Sequence, residues 1–337
     1  MKRMILGSLA LSVAACGLPA NAPMARTTAA TLHARGAAQP GSFVAEGYQG
    51  RTYKVYLPKS YRDGAPVPLV VMLHGCTQDP DTFATGTRMN QLADSQGFAV
   101  MYPAQPQTAH PNKCWNWFKP EDQARDSGEP ALIAGMVQQV EHEYAIDPHA
   151  VYAAGLSAGA AMTVILGATY PDMFAGLGVC SGLEYQAATN EGNAWAVMNT
   201  GGPDPRTAGA HAYQTMGSNA HVMPVMVFHG TADTVVAPKN ADQIVAQWAV
   251  TNDQISGQTT LESEQPETTS GQVSGGRRYT AKTYRDQAGT AVIEEVLVDQ
   301  MPHAWSGGQS QGSSFMDPQG PDASTMLWNF FSSHRRH

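Results

Sequence analysis

Between residues 150 and 169 the chain leaves itself little conformational choice. Val151-Tyr152-Ala153-Ala154 is an apolar run of strand length, Gly155-Leu156-Ser157-Ala158-Gly159 follows, and Ala158 to Thr169 is small, apolar and of helical length. A serine held between a buried strand and a helix start sits on a turn so tight that the residues two positions to either side must lack bulk, and both are glycine. The helix start also aims N–H groups at negative charge that develops beside the serine. A bare G-x-S-x-G is common. With these flanks it predicts Ser157 as a nucleophile.

The rest of the chain supplies a sheet for that turn. Leu69 to Leu73, Phe98 to Tyr102, Ala150 to Ala154, Leu177 to Cys180, Val225 to Phe228 and Ala291 to Val298 are short apolar runs, as expected of strands covered on both faces. Tyr279 to Tyr284 is strand-like, and Arg51 to Leu57 alternates with period two and reads as an outer strand. Helical patterns separate them: Leu132, Ile133, Met136, Val137 and Val140 form one stripe, and Ala241 to Val250 and Ser324 to Phe331 supply two more helices. Strands alternating with helices predict an α/β fold with a mostly parallel central sheet and helices on both faces. Residues 184–222, rich in Gly, Asn and Ala, are expected to make an excursion above the sheet. Residues 251–277, rich in Thr, Ser, Glu and Gln, read as a mobile surface loop.

A serine nucleophile needs a base, and the base needs an acid to orient it. In the α/β-hydrolase arrangement they follow in the order serine, acid, histidine, each past the end of a later strand. Asp233, in His229-Gly230-Thr231-Ala232-Asp233, and His303, in Met301-Pro302-His303-Ala304-Trp305, meet that order. Asp299 competes as acid but lies too near its strand. His229 competes as base but precedes the acid, and is read as structural, like His74. Two oxyanion donors are expected: the N–H of Ala158, and the N–H of Cys76 in the loop His74-Gly75-Cys76-Thr77-Gln78. The aromatic run Cys114-Trp115-Asn116-Trp117-Phe118 reads as a substrate platform, with a local core plug as the alternative, and Trp305 is expected to line the site too. Glu141-His142-Glu143 resembles a metal cluster, but consecutive helix positions point apart, so a solvated face is expected.

Export follows from the N-terminus. Lys2 and Arg3 precede an apolar run from Met4 to Ala15 that is too short to span a bilayer comfortably. Two exits stay open: a lipoprotein-like Val13-Ala14-Ala15-Cys16, with a lipid on Cys16 as the one membrane link, or cleavage after Ala20-Asn21-Ala22. The expected layout is a leader at 1–22, a tether at 23–40 and a catalytic domain at 41–337, in a secreted or periplasmic protein. Disulfides persist in such compartments. Cys16 is lost or lipidated and Cys180 sits in an apolar run, which leaves Cys76 to pair with Cys114. Hydrophobic residues make up 42%, enough for a large core, and the net charge of −8, with no long basic cluster after the N-terminus, argues against a nucleic-acid partner. Nothing in the sequence specifies an oligomeric state.

Five segments together resemble the PHB depolymerase family of esterases, related to feruloyl and acetyl xylan esterases: His-Gly-Cys-Thr-Gln at 74–78, Cys-Trp-Asn-Trp-Phe at 114–118, Gly-Glu-Pro-Ala-Leu-Ile at 128–133, Gly-Leu-Ser-Ala-Gly-Ala-Ala-Met at 155–162 and Met-Pro-His-Ala-Trp-Ser-Gly-Gly at 301–308. The resemblance implies hydrolysis of ester bonds of 3-hydroxybutyrate polymers or oligomers, with the triad above and no metal or organic cofactor. Extracellular polymer degraders of that family usually carry a granule-binding domain. No stretch of this sequence reads as one, so soluble oligomers or short acyl esters are the expected substrates. A serine peptidase of the same fold and a non-catalytic binding module are the competing readings. The first would usually bring a large extra domain, and the second would usually lose the nucleophile or base.

Overall fold

The apolar runs become the middle of one ten-stranded sheet. The computed structural model describes residues 38–263 and 265–336, so the leader at 1–22, nearly all of the tether and Cys16 lie outside the described residues. The strands are β1 (Phe43–Tyr48), β2 (Arg51–Tyr56), β3 (Val67–Leu73), β4 (Ala99–Pro103), β5 (Ile146–Leu156), β6 (Gly176–Cys180), β7 (Val225–Gly230), β8 (Glu267–Gln272), β9 (Arg278–Arg285) and β10 (Ala291–Val298). Their spatial order is 1-2-4-3-5-6-7-10-9-8. The run from β4 to β10 is parallel, and antiparallel strands flank it on both sides. This is the α/β-hydrolase fold.

Helices α1 (Pro80–Thr87), α2 (Met89–Gln96), α3 (Gly128–Glu143), α4 (Ala158–Thr169), α5 (Glu191–Thr200), α6 (Pro205–Met216), α7 (Lys239–Ser256), α8 (Thr260–Ser263) and α9 (Ala323–Ser332) connect or follow the strands. Side chains alternate across each central strand. Leu69, Val71 and Leu73 of β3 join the core shared with α3, α4 and α7, while Val70 and Met72 join the core shared with α1, α2 and α9. Two apolar layers thus sandwich the sheet. Among the described residues no helix is long and apolar enough to cross a membrane.

Three regions differ from the sequence reading. Outside the expected outer strand β2 lies a further strand, β1, joined to it by a two-residue hairpin in which Gln49 and Gly50 both take positive φ (45° and 77°). The stretch 251–277 is not a loop throughout: α7 runs on to Ser256, α8 follows, and β8 pairs antiparallel with β9 from Glu267↔Thr283 to Gln272↔Arg278. That strand escapes a periodicity search because almost all of it faces solvent, so neither face selects apolar residues. The excursion at 184–222 is largely helical, folding into α5 and α6.

Glu184, at the start of that excursion, is buried, and neither of its carboxylate oxygens has a hydrogen-bond partner among the described residues. Burial, reinforced by Asp204, pushes its pKa up to about 8. In the unfolded chain a glutamate ionises near about 4.3. A raised carboxyl pKa favours folding while both states are protonated, and that contribution is lost as pH rises through the folded value. Glu184→Gln is therefore expected to melt higher than the parent near about pH 9, with the gap closing near about pH 4. Thermal denaturation across that range checks this, and a gap independent of pH would contradict it.

Candidate active site

Strand β5 ends at Leu156 and α4 begins at Ala158, leaving Ser157 alone on the turn at φ 58°, ψ −121°. Few non-glycine residues hold such a backbone unless the surroundings enforce it. Here the Ser157 N–H donates to the Cys180 carbonyl at 2.9 Å, tying the turn to the end of β6. The flanking glycines are needed for space. A Cβ on Gly159 would lie 2.1 Å from the Leu73 carbonyl oxygen, and one on Gly155 would lie 2.4 Å from the Gly159 backbone. The elbow is thus wedged against the end of β3, where the His74–Gln78 loop begins.

The loops after β7 and β10 are bonded to each other. Thr231 N–H donates to Val298 O at 3.0 Å and Ala232 N–H to Met301 O at 3.1 Å. This brings Asp233 to His303, whose Nδ1 lies 2.8 Å from Asp233 Oδ2. Asp233 Oδ1 accepts the N–H groups of Val235 and Val236, both at 2.9 Å. Burial opposes ionisation of Asp233, but hydrogen bonds from His229 and His303 outweigh it and hold the carboxyl well below its usual range. An Asp with a depressed pKa stabilises the fold above about pH 3.9, and that contribution disappears as pH falls toward the lowered value. With Nδ1–H committed to Asp233, the His303 lone pair is on Nε2, the tautomer a general base requires.

The competing groups are placed differently. His229 is fully buried, with Nε2 2.8 Å from Val236 O and 3.4 Å from Asp233 Oδ2. Asp299 is exposed. His74 accepts from Gln105 N–H on Nε2 at 3.2 Å, and burial lowers its pKa to about 4, so it is neutral at ordinary pH. On α3, His142 and Glu143 face solvent while Glu141 is half-buried.

In the loop after β3, Gly75 N–H is taken by Gln78 Oε1 at 2.8 Å and Thr77 N–H by Asn112 O at 2.6 Å. The Cys76 N–H between them meets no acceptor among the described residues, and neither does Ala158 N–H at the start of α4. Cys76 is bridged to Cys114, with Cα atoms 4.2 Å apart and a sequence separation of 38. Cys180 is a buried free thiol.

Ser157 and His303 line one cavity of about 370 Å³ with Cys76, Ala158, Trp117 and Phe118. Two expected wall residues are not there. Trp115 is buried behind the loop, its indole N–H donating to His74 O at 3.1 Å. Trp305 is fully buried, edge-on to Phe83 with centroids 5.5 Å apart, its indole N–H donating to Ser324 Oγ at 3.1 Å. Both are core residues, since a large ring is best buried wherever its polar atom finds a partner. The sequence reading missed other walls: Leu183, Val235, Phe315 and one face of α5. The spacing of Glu191, Ala194, Trp195 and Met198 at i, i+3, i+4 and i+7 is the signal that would have found that face.

Glu129, in the first turn of α3, holds the aromatic loop from behind. Its carboxylate accepts from Asn116 N–H at 2.7 Å, from Asn116 Nδ2 at 2.6 Å and from Gln105 Nε2. Glu129→Gln replaces one acceptor with a donor facing donors. A loss of about 1–3 kcal/mol in stability is expected, with a raised KM because Trp117 and Phe118 lose their seat. Chemical denaturation and steady-state kinetics check both.

A family model described as Esterase PHB depolymerase matches residues 51–268. Poly(3-hydroxyalkanoate) depolymerase C of Paucimonas lemoignei is 36% identical over 242 residues, covering 71% of this chain and 55% of that protein. A probable acetylxylan esterase A of Aspergillus clavatus is 30% identical over 203 residues, covering 58% of this chain and 64% of that protein. The chain thus spans roughly half to two thirds of the length of these curated relatives. Among solved structures, an acetyl xylan esterase from Aspergillus awamori superposes with a TM-score of 0.69 at 21% identity, covering 87% of this chain and 99% of that one, a likeness of fold.

Proposed function

Because the chain belongs to the esterase PHB depolymerase family, we propose that it is a serine esterase in which Ser157 attacks, His303 carries the proton and Asp233 orients His303. The observation that carries this reading is the 2.8 Å Asp233–His303 bond, set in a cavity that His303 shares with the strained Ser157 turn. In the proposed cycle His303 Nε2 takes the Ser157 proton as Oγ attacks the ester carbonyl. The N–H groups of Cys76 and Ala158 receive the charge on the carbonyl oxygen. His303 then protonates the departing alcohol, and a water activated the same way frees the acid and Ser157. No cofactor enters this cycle.

The substrates we propose are short acyl esters and soluble 3-hydroxybutyrate oligomers. Trp117, Phe118 and Leu183 give the cavity apolar walls suited to short methyl-bearing units. A hydroxycinnamoyl or acetyl xylan ester is the second reading, favoured by the same aromatic walls and by the name of the Aspergillus clavatus relative. Relative kcat/KM on a hydroxybutyrate trimer, p-nitrophenyl acetate, methyl ferulate and a peptide amide decides among them. Faster cleavage of methyl ferulate than of the trimer would move the assignment to a feruloyl esterase, and preferred cleavage of the amide would make the protein a peptidase.

The Cys76–Cys114 bridge supports an oxidising compartment. We accordingly propose export, with residues 41–337 as the catalytic unit. Mass measurement of the mature N-terminus separates a lipid on Cys16 from cleavage after Ala22.

A further inference from the structure

Among the described residues four large apolar side chains are exposed: Trp195 at 68%, Phe315 at 42%, Tyr213 at 37% and Val235 at 36%. Three of them, Trp195, Phe315 and Val235, line the Ser157 cavity. They come from α5, from the loop after β10 and from the loop carrying Asp233, so no single segment accounts for their meeting. Isolated surface hydrophobes are ordinary, whereas a cluster at the mouth of a pocket marks a contact surface.

Each of the three is held there. Phe315 has φ 57°, a backbone region that bulky residues avoid. The Trp305 backbone N–H donates to the Phe315 carbonyl at 2.8 Å, and the Phe315 ring stands edge-on to His303 with centroids 5.9 Å apart. The Val235 N–H is itself held by Asp233 Oδ1 at 2.9 Å. Helix α5 is capped at its start by the Asn190 side chain, which accepts Asn193 N–H at 3.0 Å. At its other end Met198 O accepts Ala237 N–H at 2.7 Å and Asn240 Nδ2 at 3.1 Å. These bonds tie α5 to the segment that follows Asp233. Its cavity face, Glu191, Ala194, Trp195 and Met198, points at the space above Ser157, and of its ten residues Ala194 alone is buried. Ala194 and Met198 of that face pack against the core, whereas Trp195 between them is left facing water at the open mouth of the cavity.

We propose that Trp195, with Val235 and Phe315, forms an outer subsite for the next units of an aliphatic ester chain whose scissile bond lies at Ser157. The inference rests on the esterase reading and adds chain-length selectivity to it. The cavity holds the groups either side of the cleaved bond. A chain long enough to leave the cavity crosses the rim and covers the Trp195 ring, so the rim contributes to longer esters and not to an acetate.

The test compares the parent with Trp195→Gln and Trp195→Phe on p-nitrophenyl acetate and on a soluble 3-hydroxybutyrate trimer, with adsorption to an insoluble polyester film as a third arm. Trp195→Gln is expected to raise KM for the trimer about tenfold or more, and to change kcat/KM for the acetate several-fold less. Trp195→Phe should recover most of the loss, since an aromatic face remains. Equal losses on trimer and acetate, or a trimer KM that does not move while the parent cleaves both esters, would overturn the subsite and leave the esterase reading standing. A variant that loses film adsorption yet cleaves the trimer like the parent would show that the rim grips a surface and not a chain, which also overturns it. A parent that cleaves neither ester would overturn the esterase reading, and the subsite with it.

Discussion

Ser157→Ala and His303→Ala are each expected to lower ester hydrolysis by about 10⁴–10⁶, because nucleophile and base act as one unit and removing either removes the covalent route. Asp233→Asn should cost less, about 10³–10⁴, for a reason visible in the hydrogen bonds. Asp233 Oδ1 takes two backbone N–H groups, so the asparagine oxygen must stay on that side. The amide NH₂ then faces His303 Nδ1, where Asp233 Oδ2 now accepts. His303 can meet an NH₂ only with a lone pair on Nδ1, which puts its proton on Nε2 and removes the base from Ser157. Initial rates on p-nitrophenyl acetate, with circular dichroism as the control for folding, measure these losses. A His303→Ala variant turning over at the parent rate, or a fluorophosphonate label on any other serine, would end the triad assignment.

The second large effect is expected from the disulfide. Replacing Cys76 and Cys114 together by serine should lower kcat by about 10²–10³, the cost of a misplaced oxyanion donor. The Cys76 N–H is isolated between two N–H groups already committed to Gln78 and Asn112. Its aim depends on the loop, and the bridge fastens that loop to the segment bearing Trp117 and Phe118. For a loop with this separation, the restriction of the unfolded chain is worth about 4 kcal/mol on the entropic model. Urea unfolding and single-turnover rates separate the two effects. Cys180 does not complicate the experiment, because burial pushes its thiol pKa far up and keeps it unreactive. Unchanged kcat in the double variant would show that Cys76 is not an oxyanion donor or that the loop holds itself.

The sheet and the arrangement of Ser157, Asp233 and His303 were legible in the sequence for one physical reason. Strands buried on both faces must be apolar throughout, and chemistry placed past their ends inherits the chain order. The cavity walls were less legible. Trp115 and Trp305 are near the key residues in sequence, but nearness along the chain does not say which way a ring turns. Both rings turned toward acceptors inside the core, the His74 carbonyl and the Ser324 hydroxyl. The opposite error concealed α5. Its composition reads as loop, yet Trp195 and Met198 stand one turn apart on the same face. Edge strand β8 was hidden because a strand with no buried face has no hydrophobic period to detect.

The position of β10 also bears on how far family membership can be trusted as a sign of activity. The family match ends at residue 268, before β10 begins at Ala291 and before His303. A fragment cut at that boundary would keep Ser157 and Asp233 but lack His303, the proton carrier of the proposed cycle. It would also strip β7 of its partner from Ile293↔Val225 to Val298↔Gly230, baring a row of unpaired N–H and C=O groups in the middle of a former sheet. Such an edge recruits other chains, so the fragment should precipitate as well as fail to turn over. A homologue recognised through the matched stretch alone therefore carries no warrant of competence as an enzyme until a histidine is found past its next parallel strand.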